Sequence, residues 1–391
     1  MNFILFDSSV RNSLLPFTFT RPVADIRIGV LTIREKWEKF LGFTTTSITE
    51  EYLEVKYPMV ELDKNILINA SFLPTKSLVE QVRNLSENQA IFKGEEVIAF
   101  FTSDTQEDVD FTLYKQIECS GDVLQLKNTW DIFSLNDKAI KADYDLITQG
   151  RTSAPIPEGV HAINKENIFI EEGATISFSS LNASTGPIYI GKDSEIMEGC
   201  LVRGPFALCE YSILKMGAKI YGATTVGPYC KVGGEVNNSV LFGFSSKGHE
   251  GFLGNSVLGE WCNVGADTNT SNLKNNYAEV KLWDYHKERF TNTGLQFCGL
   301  MMGDHSKCGI NTMFNTGTVI GVSANIFGSG FPRNFIPSFS WGGAAGFTTY
   351  QLNKVIEVAK VVMKRRELEW SEIDEKILQH VFDETAKNRA K

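Results

Sequence analysis

No apolar run approaches the roughly 18 residues that a membrane-spanning helix needs, and the short apolar patch at residues 3–6 lacks the basic flank of a signal peptide. A cytoplasmic protein is expected. The seven cysteines include no Cys-x-x-Cys pair, so neither a zinc site nor a disulfide framework is indicated. Five of them, Cys200, Cys209, Cys230, Cys262 and Cys308, fall among regularly spaced aliphatics, where cysteine acts as a small buried hydrophobe. Positive charge is also short. With 38 Lys+Arg against 47 Asp+Glu the net charge is -9, which argues against a nucleic-acid surface. An anionic small substrate then requires basic residues gathered locally. Apolar content of 42% and charged content of 22% suit a soluble globular protein. A length of 391 residues exceeds one comfortable core, so two domains and an appendage are expected.

What the chain has in abundance is a six-residue beat. Ile190, Ile196, Val202, Leu208, Leu214, Ile220, Val226 and Val232 are aliphatic and six apart, a period belonging to neither a helix nor a flat strand. Two residues before the later anchors stand Ser194, Cys200, Phe206, Ser212, Ala218, Thr224 and Cys230, mostly small. A large and a small residue every six suit a chain that turns a corner at each repeat, three faces to a coil, and buries its core by stacking coils. That is a parallel β-helix. The beat fails after Val232, resumes at Phe252, Leu258 and Val264, fails again, and resumes at Met302, Cys308, Phe314, Ile320 and Ile326. The gaps, 20 residues from Val232 to Phe252 and 38 from Val264 to Met302, each exceed whole 18-residue coils by two. Loops are expected to leave the prism at both breaks, and extruded loops are the first place to look for chemistry.

Ahead of the repeats, strand-like segments at residues 3–6, 66–69 and 96–101 alternate with helix-like segments at 33–41 and 78–85, the pattern of a layered α/β domain. The Gly- and Pro-containing stretch 143–157 reads as a linker. The expected division is an α/β domain at 1–148, a linker at 149–158, a β-helix at 159–342 and C-terminal helices at 343–391. The opening strand, the polar loop at residues 7–13 and the following Leu15-Pro16-Phe17-Thr18 with Pro22 resemble the start of the sugar-1-phosphate nucleotidyltransferases. The resemblance implies a Rossmann-like fold, UTP or dTTP as nucleotide, Mg2+ if the domain is active, and Arg11 and Arg21 as nucleotide-binding residues. This chain departs from the family's pattern. The loop has no glycine, the family's Pro-Lys reads Pro22-Val23, and the magnesium-holding Gly-Asp reads Asn69-Ala70. Phosphoryl chemistry depends on cations aimed at developing charge, so an active transferase and a degenerate domain that binds a ligand or only packs both stand.

Lys247-Gly248-His249, then Asn263-Val264-Gly265-Ala266, then Asn272 with Lys274 and Lys281 resemble the bacterial bifunctional glucosamine-1-phosphate N-acetyltransferase / N-acetylglucosamine-1-phosphate uridylyltransferase. That resemblance implies a left-handed β-helix, acetyl-CoA as acyl donor, an amino sugar phosphate as acceptor, and a homotrimer with sites between subunits. It implies His249 as catalytic base and Lys247, Asn263, Asn272 and Lys281 near the sugar phosphate. The chemistry agrees. An amine must lose a proton to attack a thioester, and imidazole is the side chain that titrates near neutrality. Phe252 and Leu273 stand where the family has tyrosines, which removes hydroxyl contacts to the sugar.

The remaining histidines carry less. His305 reads as a solvated turn, His286 lies in the insertion between the second pair of repeats, and His161 and His380 have no motif around them. Arg333, in Gly330-Phe331-Pro332-Arg333-Asn334, reads as closing the β-helix, with contact to a coenzyme phosphate as the other reading. Leu352, Val355, Ile356, Ala359, Val362 and Met363 keep helical spacing, and Ser371-Glu372-Ile373-Asp374 is a capping-box pattern. Three functions remain open: an acetyl-CoA-dependent N-acetyltransferase acting on an amino sugar phosphate, with or without nucleotidyl transfer to a UDP- or dTDP-sugar; a nucleotidyltransferase whose β-helix serves assembly; and a non-catalytic sugar-nucleotide-binding or regulatory protein.

Overall fold

The computed structural model describes residues 2–103 and 109–389. It has an α/β unit, a left-handed parallel β-helix of about ten coils and a helical tail. Contacts divide the chain into two compact units. The first takes residues 1–14, 20–26 and 31–128; the second takes 15–19, 27–30 and 129–391.

In the first unit a six-stranded sheet runs in the order Thr46–Ile48, Asn2–Phe6, Asn65–Asn69, Glu96–Thr102, Gln89–Lys93, Lys115–Glu118. The first three strands are parallel, and Glu96–Thr102 is antiparallel to both its neighbours. The helix Ile33–Leu41 begins at a capping box between Thr32 and Glu35 and ends at Gly42 in the left-handed region, each end satisfying backbone groups the helix leaves open. It buries Ile33 and Trp37, whose indole N–H donates to the Phe72 carbonyl at 3.0 Å.

The second unit is the solenoid. Its first face runs from Ile168–Ile170 to Phe335–Ile336, its second from Thr175–Ile176 to Gly346–Thr349, and its third begins at His161–Ile163. Parallel pairing stacks like on like, so one inward row of the second face reads Ile176, Ile196, Leu214 and Val232. All of these are 5% exposed or less, and each fully buried aliphatic contributes about 1.5–3 kcal/mol. The segment 27–30 belongs here because the helix Asn136–Thr148 fastens it. Gly29 N–H donates to Asn136 Oδ1 at 2.7 Å, Val30 N–H to Asp143 Oδ2 at 2.7 Å, and the Asn136 amide donates to the Ala223 carbonyl at 2.8 Å.

The first break in the beat is not a loop. Val232 pairs with Lys247, fifteen residues on, and Lys231 with Ser246, so the chain stays in the prism through a shortened coil. The inward residue on the third face is Leu253, 1% exposed, rather than Phe252. The second break does leave the prism. After the strand Asn269–Thr270 the chain exits, forms the antiparallel hairpin Lys281–Asp284/Arg289–Asn292, and rejoins the first face at Met301–Met302.

One corner carries a ladder of rings. Tyr211, Tyr229, Phe244, Trp261 and His305 all have φ between 54° and 61°. Successive centroids lie 4.8, 5.1, 4.3 and 6.2 Å apart, with planes within 17° of parallel. Left-handed backbone costs a non-glycine residue about 1–2 kcal/mol, and stacking offsets about 0.5–1.5 kcal/mol per pair. His305, read from sequence as a solvated turn, is half-buried at the end of this ladder with Trp370 edge-on, 6.1 Å away. The tail helix Glu372–Glu384 starts at the anticipated capping box, with Ser371 and Asp374 each accepting from the other's backbone N–H.

Candidate functional site

His249 lies at the corner between the second-face strand Ser246–Lys247 and the third-face strand Phe252–Gly254, and its side chain is exposed. The corner is narrow because Gly234, one coil earlier, lies directly against it. Gly234 has φ +70°, and a Cβ there would come within 2.8 Å of the His249 carbonyl oxygen and 2.9 Å of Glu250 Cα. Only glycine permits both the backbone and the approach. Two further bonds fix the turn: Asp267 N–H donates to the Glu250 carbonyl at 3.0 Å, and Phe252 N–H donates to Asn269 Oδ1 at 2.9 Å.

Lys247 occupies the inward row of the second face, in the position Val232 holds one coil before. It is 2% exposed. Its ammonium donates to the His249 carbonyl at 2.5 Å. Burial pushes its pKa down to about 8, against a smaller opposing pull from the carboxylates of Glu250 and Asp267. A cation at an aliphatic position costs desolvation, and here it ties the backbone of the residue two places on.

The other residues singled out from sequence are spread over the solenoid. Asn263 is exposed on the neighbouring second-face strand, in register with Ser246. Asn272 sits past Thr270 at the corner where the insertion leaves. Its amide donates to Asn255 Oδ1 at 2.8 Å, and its carbonyl accepts from Cys298 N–H at 2.9 Å, closing the insertion's base. Lys281 opens the hairpin and lines a cavity of about 700 Å³ with Lys274, Trp283, Phe290, Arg333 and Phe335. None of His249, Lys247, Asn263 or Asn272 lines that cavity. Lys247 and Asn263 thus lie on adjacent second-face strands next to the His249 corner, Asn272 lies against Gly254 on the third-face strand that follows this corner, and Lys281 lines the cavity.

A groove of about 770 Å³ on the third face was not foreseen. It is lined by Ser180, Leu201, Arg203, Lys219 and Tyr221 among others. Lys219 Nζ lies 3.3 Å from Glu250 Oε2, so one wall of the groove is tied to the residue after His249. Ser180, Leu201 and Lys219 are register partners on consecutive strands and face outward from the prism. The Gly233-Gly234 pair one coil before His249 was the available sequence signal for a crowded corner.

In the first unit the loop after Asn2–Phe6 is filled from within. Asp7 Oδ1 accepts from Val23 N–H at 2.8 Å, and Oδ2 accepts from the Thr49 hydroxyl at 2.7 Å. Burial pushes the Asp7 pKa up to about 6. Arg11, 6% exposed, donates to the Tyr52 hydroxyl at 2.7 Å and lies 3.2 Å from Glu50 and 3.8 Å from Asp7. Arg21 is 3% exposed. The residues do not fit Mg2+. Ala70 stands where the family has the carboxylate, and the amide group of the adjacent Asn69 is committed to Ser71 and the Val97 carbonyl. Among the described residues no group of three or more His, Cys, Asp and Glu is placed to hold a metal ion.

Residues 3–152 match the family described as sugar nucleotidyl transferase. No curated protein matches the chain. Among solved structures, it is similar to the polySia specific acetyltransferase NeuO (12% identity over 49% of this chain and 85% of that one, TM-score 0.26). It is also similar to LpxA, a UDP-N-acetylglucosamine acyltransferase from Bacteroides fragilis 9343 (12%, 57% and 96%, TM-score 0.25). AntD, an N-acyltransferase from Bacillus cereus in complex with dTDP and 3-hydroxybutyryl-CoA, gives 13%, 53% and 91% with a TM-score of 0.23. At those scores the likeness carries no argument about site or activity.

Proposed function

We propose that the second unit is an acyl-CoA-dependent N-acyltransferase, with acetyl-CoA as donor and an amino sugar phosphate of the glucosamine 1-phosphate kind as acceptor. The observation that carries this reading is the exposed His249 at a corner held from inside by Lys247 and tied through Glu250 and Lys219 to the third-face groove. The acceptor lies in that groove with its phosphate toward Arg203, an exposed cation. The His249 imidazole takes the amine proton as nitrogen attacks the thioester carbonyl carbon; the C–N bond forms, the C–S bond breaks, and the imidazolium returns the proton to the departing thiolate. General-base assistance of this kind is worth about 10²–10⁴-fold in rate. Lys281 lines a separate cavity in which none of His249, Lys247, Asn263 and Asn272 takes part, so the proposal includes a homotrimer in which a second copy completes the site.

The test is thiol release from acetyl-CoA with glucosamine 1-phosphate as acceptor. His249→Ala should lose about 10²-fold or more in kcat while melting at the same temperature as the wild type. Equal rates in the two proteins would remove His249 from the reaction.

The match over residues 3–152 favours a second reading, sugar-1-phosphate nucleotidyl transfer by the first unit. The self-filled loop and the committed amide of Asn69 speak for a domain that has lost turnover. Pyrophosphate release from UTP or dTTP with a hexose 1-phosphate decides between them.

A further inference from the structure

The second face carries cations in a place where neither its packing nor the acyl-transfer reading calls for them. Lys231 precedes the inward, fully buried Val232 and so faces outward, paired with Ile213 and Ser246 on the flanking coils. Lys215 follows the inward Leu214 one coil earlier, and its N–H donates to the Val232 carbonyl at 2.8 Å. The two lysines therefore stand on adjoining coils of one face. Beside Lys215 the next coil has Gly233, where a Cβ would come within 3.2 Å of Lys215 Cβ, so no side chain fills the space there.

The helical tail adds two more cations. The helix Leu352–Lys364 ends at Arg365, and Arg366 N–H donates back to the Met363 carbonyl at 2.8 Å. Four residues on, Trp370 meets His305 edge-on at 6.1 Å. His305 is the last rung of the aromatic ladder, and Lys231 stands two residues after Tyr229, another rung, so this stretch of the tail runs along the corner of the second face that bears Lys231. The electrostatics agrees with that placement. Burial first, then the charges of Arg366, Lys215 and Arg365, hold the Lys231 ammonium below its ordinary range. Every charge acting on it is positive, and among the described residues none of Lys215, Lys231, Arg365 and Arg366 makes an ion pair with Asp or Glu. The negative end of the helix dipole accounts for arginines at the helix terminus; it does not account for two lysines brought against them.

Lys215, Lys231 and Arg366 are half-buried and Arg365 is exposed. Like charges gathered without a carboxylate repel one another, and partial burial strengthens the repulsion because less water screens it. In a chain of net charge -9 the cluster also sets a positive field against an acidic background. An anion held among these side chains removes the cost. A lone carboxylate cancels a single charge, whereas a di- or triphosphate spreads several negative oxygens across the whole cluster, and guanidinium meets phosphate oxygens in pairs. A long polyanion would meet repulsion from the acidic chain beyond the cluster's edges.

We propose that Lys215, Lys231, Arg365 and Arg366 form a binding site for the di- or triphosphate group of a small molecule. The site lies on the second face, apart from the third-face groove, and stands whether or not His249 is a catalytic base. The pyrophosphate of coenzyme A and the phosphates of a free nucleotide present the same chemistry.

Calorimetric titration of the full-length protein at low salt with orthophosphate, pyrophosphate and tripolyphosphate tests it. Tripolyphosphate should bind tightest and orthophosphate weakest, and added salt should weaken all three. Lys231→Met and Arg366→Gln should each weaken tripolyphosphate by about tenfold, the effect of one lost charge-assisted hydrogen bond, with unchanged circular dichroism. Lys165→Ala, which removes an exposed cation from the first coil, should leave the affinity as it is. Coenzyme A and UTP titrated into the same variants tell which source the site serves, since only its own ligand loses affinity in both. Tripolyphosphate binding that is undetectable in wild type, or equal in wild type, Lys231→Met and Arg366→Gln, overturns the proposal. So does binding to anionic phospholipid vesicles that depends on Lys231 and Arg366 and that tripolyphosphate fails to compete. Thiol release that persists in any of those cases leaves the acyl-transfer reading standing.

Discussion

Replacing Lys247 with methionine should make the protein more stable and less active at once. The side chain is 2% exposed in a row where the preceding coils have Leu214 and Val232, and its pKa falls from an ordinary 10.5 to about 8 because burial disfavours the charged form. The folded-state value lies below the unfolded one, so between about pH 8 and 10.5 the unfolded chain holds the proton and the folded chain does not. The penalty on folding is therefore complete below pH 8 and vanishes as pH rises through 10.5. At about 1.4 kcal/mol for each tenfold loss of proton affinity, it amounts to about 3 kcal/mol at pH 7. Losing the bond to the His249 carbonyl costs about 1 kcal/mol. Lys247→Met should thus gain about 2 kcal/mol at neutral pH, an advantage that closes toward pH 10. Urea midpoints at fixed protein concentration across that range read the difference. Because the ammonium anchors the turn that carries His249, kcat for thiol release should fall by about 10²-fold, the scale of a small misplacement of a reacting group. Parallel stability curves for the two proteins across the pH range would refute a buried charged lysine, and unchanged kcat would refute its hold on His249.

Two further outcomes follow from the same geometry. Asp7 has a folded-state pKa raised from 3.8 to about 6, so its contribution to stability is complete below 3.8 and is lost as pH rises through about 6. Asp7→Asn should therefore gain on the wild type by about 3 kcal/mol between pH 4 and pH 7, measured by chemical denaturation; a difference that does not vary with pH sinks the assignment. Gly217 and Gly234 share nearly the same φ, +71° and +70°, but a Cβ at Gly217 meets nothing within 4 Å whereas one at Gly234 strikes the His249 turn. Gly217→Ala should cost only the backbone term of about 1–2 kcal/mol, while Gly234→Ala should also lower kcat, and equal kcat in the two variants would show that the turn is not held from behind.

Most of the solenoid was legible because its rule is local: one inward aliphatic per face, repeated. Ile190, Leu208, Leu214, Val226 and Val232 all prove fully buried. The rule failed where corners tighten. From Val232 to Lys247 the coil is three residues short of the usual eighteen, so counting by six carried the search past Lys247 and settled on Phe252, which faces outward beside the truly buried Leu253. Residue type misled as well, because a lysine at an aliphatic position is rejected by any reading based on hydrophobicity. The catalytic candidate His249 was visible through its neighbours in sequence; the third-face groove was not, since Arg203 and Lys219 line it together, and Lys219 reaches Glu250, only through coil stacking. The cavity under the insertion was invisible for the same reason: Lys281, Arg333 and Asn388 come from three distant parts of the chain.

A second periodicity in the sequence resolves the shortened coil. Tyr211, Tyr229, Phe244, Trp261 and His305 form the corner ladder, and each stands three residues before an inward position of the second face, namely Leu214, Val232, Lys247, Val264 and Cys308. The ring marks the corner whatever the coil's length, because the left-handed turn and the stack on the ring below are set by the prism rather than by the residue count. Read this way, Phe244 assigns Lys247 to the core row without any reference to hydrophobicity. A lysine retained where every neighbouring coil has an apolar residue breaks the local rule at one point only, and that point adjoins the exposed histidine. Exceptions of this kind cluster at functional sites, where stability is given up for placement. The same ladder gives His305 a structural explanation and leaves His249, which lies outside it at a different corner, without one. That asymmetry between two corner histidines is the strongest reason for placing the chemistry at His249.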